Sequence, residues 1–186
     1  PIAPQTQYGH TVSVPAGAKV FEDKLDVPDM LKNDNYAVVL GDPGASLHVL
    51  LISKGDPFIE RALALDPRVT LDKATEVPNE VAGTGSGKYD IVVFDGVQEQ
   101  PVKARGVLTL GIAGPSSPVT VSGQIKGPNF ISSEKKPLME GVDFHGVFID
   151  TQTKVSPKST GEVLSQTSAG PLVVASNTAL KRQIFV

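Results

Sequence analysis

The segment Gly83-Thr-Gly-Ser-Gly-Lys-Tyr89 has the glycine density and the lysine of a phosphate-binding loop. Such a loop needs Gly, four residues, then Gly-Lys-Ser/Thr, and must open a helix whose N–H groups face the anion. Here Ala82 stands where the first glycine belongs, and Tyr89 where the magnesium-binding hydroxyl belongs. An apolar strand-like run, Tyr89-Asp-Ile-Val-Val-Phe94, follows in place of a helix. The segment reads as a plain loop.

Nucleophilic chemistry fares no better. A nucleophile elbow needs Gly-x-Ser-x-Gly on a strand-to-helix turn. Ser86 has Thr84 two residues before it, and Ser53 lacks flanking glycines. The three histidines, His10, His48 and His145, are far apart in sequence. His48 sits in an apolar run and His145 in a loop. Neither has the orienting partner that a general base needs, so structural or solvated roles are expected. They also make a poor zinc set.

Asp56, Asp90 and Asp95 carry the remaining possibilities, as paired carboxylates or a magnesium site. Asp56 precedes Pro57, which is the pattern of a helix cap followed by a first helical residue. Asp95-Gly96 is a turn after a strand. Both fall where strands end, and open parallel sheets bind ligands at that edge. The candidate ligand set is therefore Ser53, Lys54, Gly55, Asp56, Asp95 and Gly96. No catalytic residue, metal ligand or cofactor site is assigned.

The elements that would position this set are legible in the apolar pattern. Residues 47–52 are continuously apolar apart from His48, as in a strand covered on both faces. Lys54-Gly55 turns the chain. Phe58, Ala62 and Leu65 then fall at i, i+4 and i+7, with Ile59 and Leu63 beside them, which predicts one apolar helix face. Pro67 stops the helix. Strands are predicted over residues 69–71, 89–94, 106–110, 146–153, 162–166, 171–176 and 182–186. Residues 75–88 and 111–136 are rich in Gly, Pro and Ser and read as irregular. The last two strands predict a hairpin around 177–181.

Residues 1–40 form a separate β arm or the remnant of a β-sandwich domain. Strands are expected at 11–14, 20–27 and 36–40, with a turn at 15–17 and a linker at 41–46. The main domain spans 47–186. The chain starts at Pro1 and closes on apolar Ile184-Phe185-Val186, which reads as a fragment truncated at its C-terminus. An uncovered edge at the last strand would favour self-association.

Composition narrows the classes. The chain has 186 residues, 40% hydrophobic and 20% charged, as a globular domain requires. The net charge of -3 and 5% aromatic content argue against a nucleic-acid surface. The absence of cysteine excludes disulfides, thiolate metal sites and a cysteine nucleophile, and is silent on compartment. No apolar run approaches a membrane span.

Three segments carry a resemblance. They are residues 25–40, residues 47–65 (Leu-His-Val-Leu-Leu-Ile-Ser-Lys-Gly-Asp-Pro-Phe onward) and residues 89–97. They resemble bacterial membrane-anchored proteins of the BatA type, which carry a von Willebrand factor A domain. In that family a β-sandwich region leads into a glutamine-amidotransferase-like domain. Residues 136–142, 170–174 and 182–186 resemble its later segments. The resemblance implies an α/β fold of class I glutamine-amidotransferase (flavodoxin-like) type. Its sheet would be parallel at first, with an antiparallel C-terminal meander, few helices and an N-terminal β arm.

The family's name implies a Cys-His-Glu triad on a nucleophile elbow. This chain has no cysteine, and Gly111-Ile-Ala-Gly-Pro-Ser-Ser117 stands where the elbow belongs, with Pro115 against the required helix. No catalytic residue carries over and no glutaminase activity is expected. The expected function is a non-catalytic scaffold or protein-interaction domain of a membrane-anchored envelope protein, facing the periplasm. Its partners would be proteins, and the membrane would be reached through segments outside this chain. The alternative is a small-ligand-binding or degenerate hydrolase module at the strands' carboxyl edge.

Overall fold

A computed structural model describes residues 20–24, 35–40, 46–144, 146–179 and 181–186. The predicted strand at 11–14, the turn at 15–17, His10, His145 and most of the 41–46 linker lie outside them. The chain divides into two units, Pro1–Ala45 and Ser46–Val186. In the first, β1 (Val20–Lys24) pairs antiparallel with β2 (Tyr36–Leu40), Val20 opposite Leu40.

The second unit is built on one eight-stranded mixed sheet. Its strands are β3 (Leu47–Ser53), β4 (Val69–Ala74), β5 (Tyr89–Asp95), β6 (Ala104–Leu110), β8 (Phe130–Ser133), β10 (Glu162–Thr167), β11 (Gly170–Asn177) and β12 (Arg182–Phe185). The order is β4-β3-β5-β6-β12-β11-β10-β8. The first five strands in that order run parallel, and the rest pair antiparallel. A separate ribbon joins β7 (Val119–Lys126) to β9 (Thr151–Pro157).

β3 forms where it does because both its faces are covered. Val49 and Leu51 face one cluster with Val93, and Leu50 and Ile52 face another with Val92 and Phe94. On the first face lies α1 (Pro57–Ala64), the only α-helix among the described residues. Ile59 and Leu63, four apart, turn toward the sheet. The predicted stripe is thereby corrected. Phe58 and Leu65 are 82% and 83% exposed, and the neighbouring stripe does the packing.

The opposite face explains why the flavodoxin-like α/β expectation fails. A doubly wound sheet carries helices on both faces. Here the connections before and after β5, residues 75–88 and 96–103, cover β3, β5 and β6 without an α-helix, through buried Val81 and Val102. Ala82 and Val102 form an isolated antiparallel bridge, and Gly83 donates its N–H to the Pro101 carbonyl at 2.9 Å. Pro78 and the glycines of 83–87 disfavour helix and suit this extended cover. The result is a mostly β unit with a large mixed sheet. The 75–88 segment is a loop, as read, that packs on the sheet through Val77 and Val81 while 84–88 stay exposed.

The antiparallel half is covered in the same way. Val119 and Val155 of the β7–β9 ribbon pack on Val174 and Phe185. On the other face Met139, from the 3-10 turn Pro137–Met139, packs on Leu164 and Val173. Ile184 stands in register with Leu108, so this turn and α1 lie on one side of the sheet.

The C-terminal strand corrects a second expectation. β12 pairs antiparallel with β11, Ala175 opposite Ile184, and parallel with β6 on its other side. It is an inner strand, so the open edge invoked for self-association is not there.

Candidate functional site

Ser53 and Asp95 end adjacent parallel strands and are register partners. The Ser53 hydroxyl donates to Asp95 Oδ2 at 2.7 Å and accepts the Gly55 N–H at 3.1 Å. Gly55 has φ +110°, a left-handed conformation that lets the chain turn back onto the serine. Asp56 then caps α1, its Oδ1 accepting the N–H groups of Phe58 at 2.8 Å and Ile59 at 3.3 Å. The Gly96 N–H donates to the Leu110 carbonyl at 3.1 Å, tying the turn after β5 to β6.

The six predicted residues are thus gathered at one edge, but their polar groups mostly serve one another. Two shallow grooves flank Lys54, each of about 440 Å³. One, on the α1 side, holds Ser53, Gly55, Glu60, Lys73 and Thr75. There Glu60 and Lys73 neutralise each other at 2.8 Å. The other is bordered by Thr75, Glu76, Gln98, Gln100 and Ile112. No base, nucleophile and orienting group stand together in either.

Asp90 and His48 belong elsewhere. They lie at the amino ends of β5 and β3, where the His48 N–H donates to Asp90 Oδ2 at 3.0 Å. Beside them is a cluster the sequence did not announce. Asp72 accepts the Tyr89 hydroxyl at 2.8 Å and the Lys88 ammonium at 3.0 Å. The Tyr89 hydrogen bond, then Lys88, holds the Asp72 carboxyl below its ordinary range. Burial, then Asp72, pushes the Tyr89 phenol up. Asp72 lies in β4, Lys88 just before β5 and Tyr89 at its start, and nothing in the sequence marks them as partners.

The other missed feature is Glu99, which is 0% exposed. Ser117, also buried, donates its hydroxyl to Glu99 Oε2, and the Gly114 N–H donates to Ser117 Oγ at 3.2 Å. Residues 111–117, read as the place of an absent elbow, therefore form a clasp around a buried carboxylate. Burial pulls the Lys181 amine down, against the opposing pull of Glu99. A glutamate in Gln98-Glu-Gln100 ordinarily signals a solvated loop, so no sequence signal singles it out. Among the described residues no group of three or more His, Cys, Asp or Glu side chains could hold a metal ion.

No family model and no curated protein sequence matches the chain. Solved structures similar to it include a cytoplasmic protein, STM1381, from Salmonella typhimurium LT2, with a TM-score of 0.54 and 12% identity. A second is the cytoplasmic protein STM3548 from Salmonella typhimurium, with a TM-score of 0.53 and 11% identity. Each alignment covers 75% of this chain and 86% of the other. At that identity the likeness is one of fold.

These findings correct the BatA-type, von Willebrand factor A-associated resemblance. The structural neighbours are described as cytoplasmic proteins, which conflicts with a membrane-anchored periplasmic assignment. No helix among the described residues is long and apolar enough to cross a membrane.

Proposed function

We propose that this chain is a non-catalytic protein-interaction domain that binds through the outer side of α1. The observation that carries this reading is the contrast between two surfaces. At the strands' carboxyl edge the polar groups are spent on each other, as in Ser53 with Asp95 and Glu60 with Lys73. On α1, Phe58 and Leu65 stand 82% and 83% exposed. A ligand site gathers free polar groups in a concave pocket, whereas a binding surface offers large apolar side chains with a polar rim.

The test compares the parent with Phe58→Glu/Leu65→Glu as bait in a lysate of the source organism. Thermal melts of both confirm that the fold is kept. A protein bound by the parent and lost with the double variant supports the reading. Identical binding sets reject it for this face. A melting shift from a small-molecule library, lost in Lys54→Ala and kept in the α1 variant, would move the function to the carboxyl edge.

A further inference from the structure

We infer that the groove between Lys54 and Gln100 receives the C-terminal end of an extended peptide segment, with its free α-carboxylate on Lys54. This adds a second contact to the interaction-domain reading. The α1 surface meets a folded partner, and the groove takes a chain end. Four neighbouring parallel strands, in the order β4, β3, β5 and β6, bring Glu76, Lys54, Gln98 and Ile112 to its border. All four residues follow the carboxyl ends of their strands, which is the ligand edge of such a sheet.

The polar groups here are free, unlike those on the α1 side. Among the described residues the side chains of Lys54, Thr75, Glu76, Gln98 and Gln100 make no hydrogen bond or ion pair, and all five are exposed.

The two glutamines are set by the clasp between them. Gln98 and Gln100 are exposed while Glu99 is 0% exposed, the alternation of an extended segment. Ser117 holds the Glu99 carboxylate, and the Glu99 N–H donates to the Ile112 carbonyl at 3.2 Å. Side chains two apart on an extended segment are spaced by roughly 6.6 Å, which is also the repeat of an extended peptide. Each carboxamide offers a donor and an acceptor, as a peptide group does. Two of them at this spacing match a peptide backbone lying alongside.

Charge fixes which part of a chain fits. Lys54 is the one cation on the border and Glu76 the one anion. From β3 across β5 to β6 there are two strand spacings, roughly 9.6 Å, or about three extended residues. A chain that ends on Lys54 therefore lays about three residues over the glutamines and reaches Ile112. Ile112 is 44% exposed and offers an apolar seat. A chain continuing past Lys54 would run on to Glu76 and leave the ammonium without a carboxylate.

The test is an NMR titration of the whole chain with a pool of N-acetylated random tripeptides bearing a free carboxylate. The same pool, amidated at its C-terminus, is the control. The free-acid pool should shift the side-chain amide resonances of Gln98 and Gln100. Amidation and Lys54→Gln should each weaken binding about two- to fivefold, the worth of an exposed ion pair. Glu76→Gln should tighten it, because a negative charge beside the carboxylate is removed. Phe58→Glu/Leu65→Glu should bind the pool as the parent does. Thermal melts confirm that each variant is folded.

The proposal is overturned if the free-acid pool leaves Gln98 and Gln100 unshifted, or if the two pools bind equally. It is also overturned if Lys54→Gln binds as tightly as the parent, if Glu76→Gln binds no tighter, or if the α1 variant loses the pool. A pool that does not bind, beside a lysate partner still lost in the α1 variant, would end the groove and leave the interaction-domain reading standing.

Discussion

The hydroxyl of Ser117 donates a hydrogen bond to the carboxylate of Glu99 where neither residue meets solvent, their exposures being 1% and 0%. The other oxygen, Oε1, has no hydrogen-bond partner among the described residues. The pair clasps the turn after β5 to the segment after β6, and the Glu99 N–H donates to the Ile112 carbonyl at 3.2 Å. One wall of the groove beside Lys54 is built on this clasp, since Gln98, Gln100 and Ile112 all border it.

Ser117→Ala removes the one hydrogen-bond donor that the Glu99 side chain has among the described residues. A buried polar group left unpaired costs about 1–3 kcal/mol, and more when charged. For a domain of this size the melting temperature should fall by about 3–10 °C. A melt equal to the parent's would mean that the serine does not hold the carboxylate.

Gly114→Ala attacks the same clasp from the backbone side. A Cβ at position 114 would stand 1.9 Å from the Glu99 carbonyl oxygen, so the main chain must move. The expected loss is about 1–3 kcal/mol from overpacking. Because both substitutions displace the same loop, their effects in denaturant unfolding should not add. Full additivity would show that the two contacts are independent.

Asp56→Ala should cost about 1 kcal/mol, the usual value of a helix cap. Asp56 accepts two N–H groups of α1 and takes no part in the Ser53–Asp95 pair. Urea unfolding measures the loss. An unchanged midpoint would show that the cap contributes nothing.

The cap illustrates what was legible in the chain. Asp56-Pro57 announces a helix start because the signal is local and the same few residues satisfy it. The strand at β3 was legible for a similar reason, since two covered faces demand an apolar run. The pairing of residues 171–176 with 182–186 was likewise readable. The fold class was not. The same runs of valine and leucine serve a sheet covered by helices or by extended segments, and only the tertiary packing of Val81 and Val102 distinguishes them. The outward stripe on α1 misled for a related reason. Helical periodicity identifies apolar faces, and two adjacent ones were present, but it does not say which one the sheet takes. Glu99 was invisible because its burial depends on Ser117 and Gly114, residues distant in sequence.

Acid titration offers the last test. Asp66 lies at the surface with Arg68, whose Nη2 stands 2.5 Å from Asp66 Oδ2. The Arg68 side-chain hydrogen bonds, followed by the Arg68 backbone N–H, bring the Asp66 carboxyl down from 3.8 to about 2. The folded state therefore binds this proton less readily than the unfolded chain. The stabilising contribution is complete above the unfolded value near 3.8 and is lost as pH falls toward about 2. Carboxyl resonances followed by NMR should give Asp66 a midpoint near 2 in the parent. In Arg68→Ala the guanidinium is gone and the backbone N–H remains, so the midpoint should rise only part of the way to 3.8. Salt should raise the parent's midpoint modestly, because the pair is exposed and its Coulomb attraction is screened. A parent midpoint already at 3.8 would show that the arginine does not hold the carboxylate in solution.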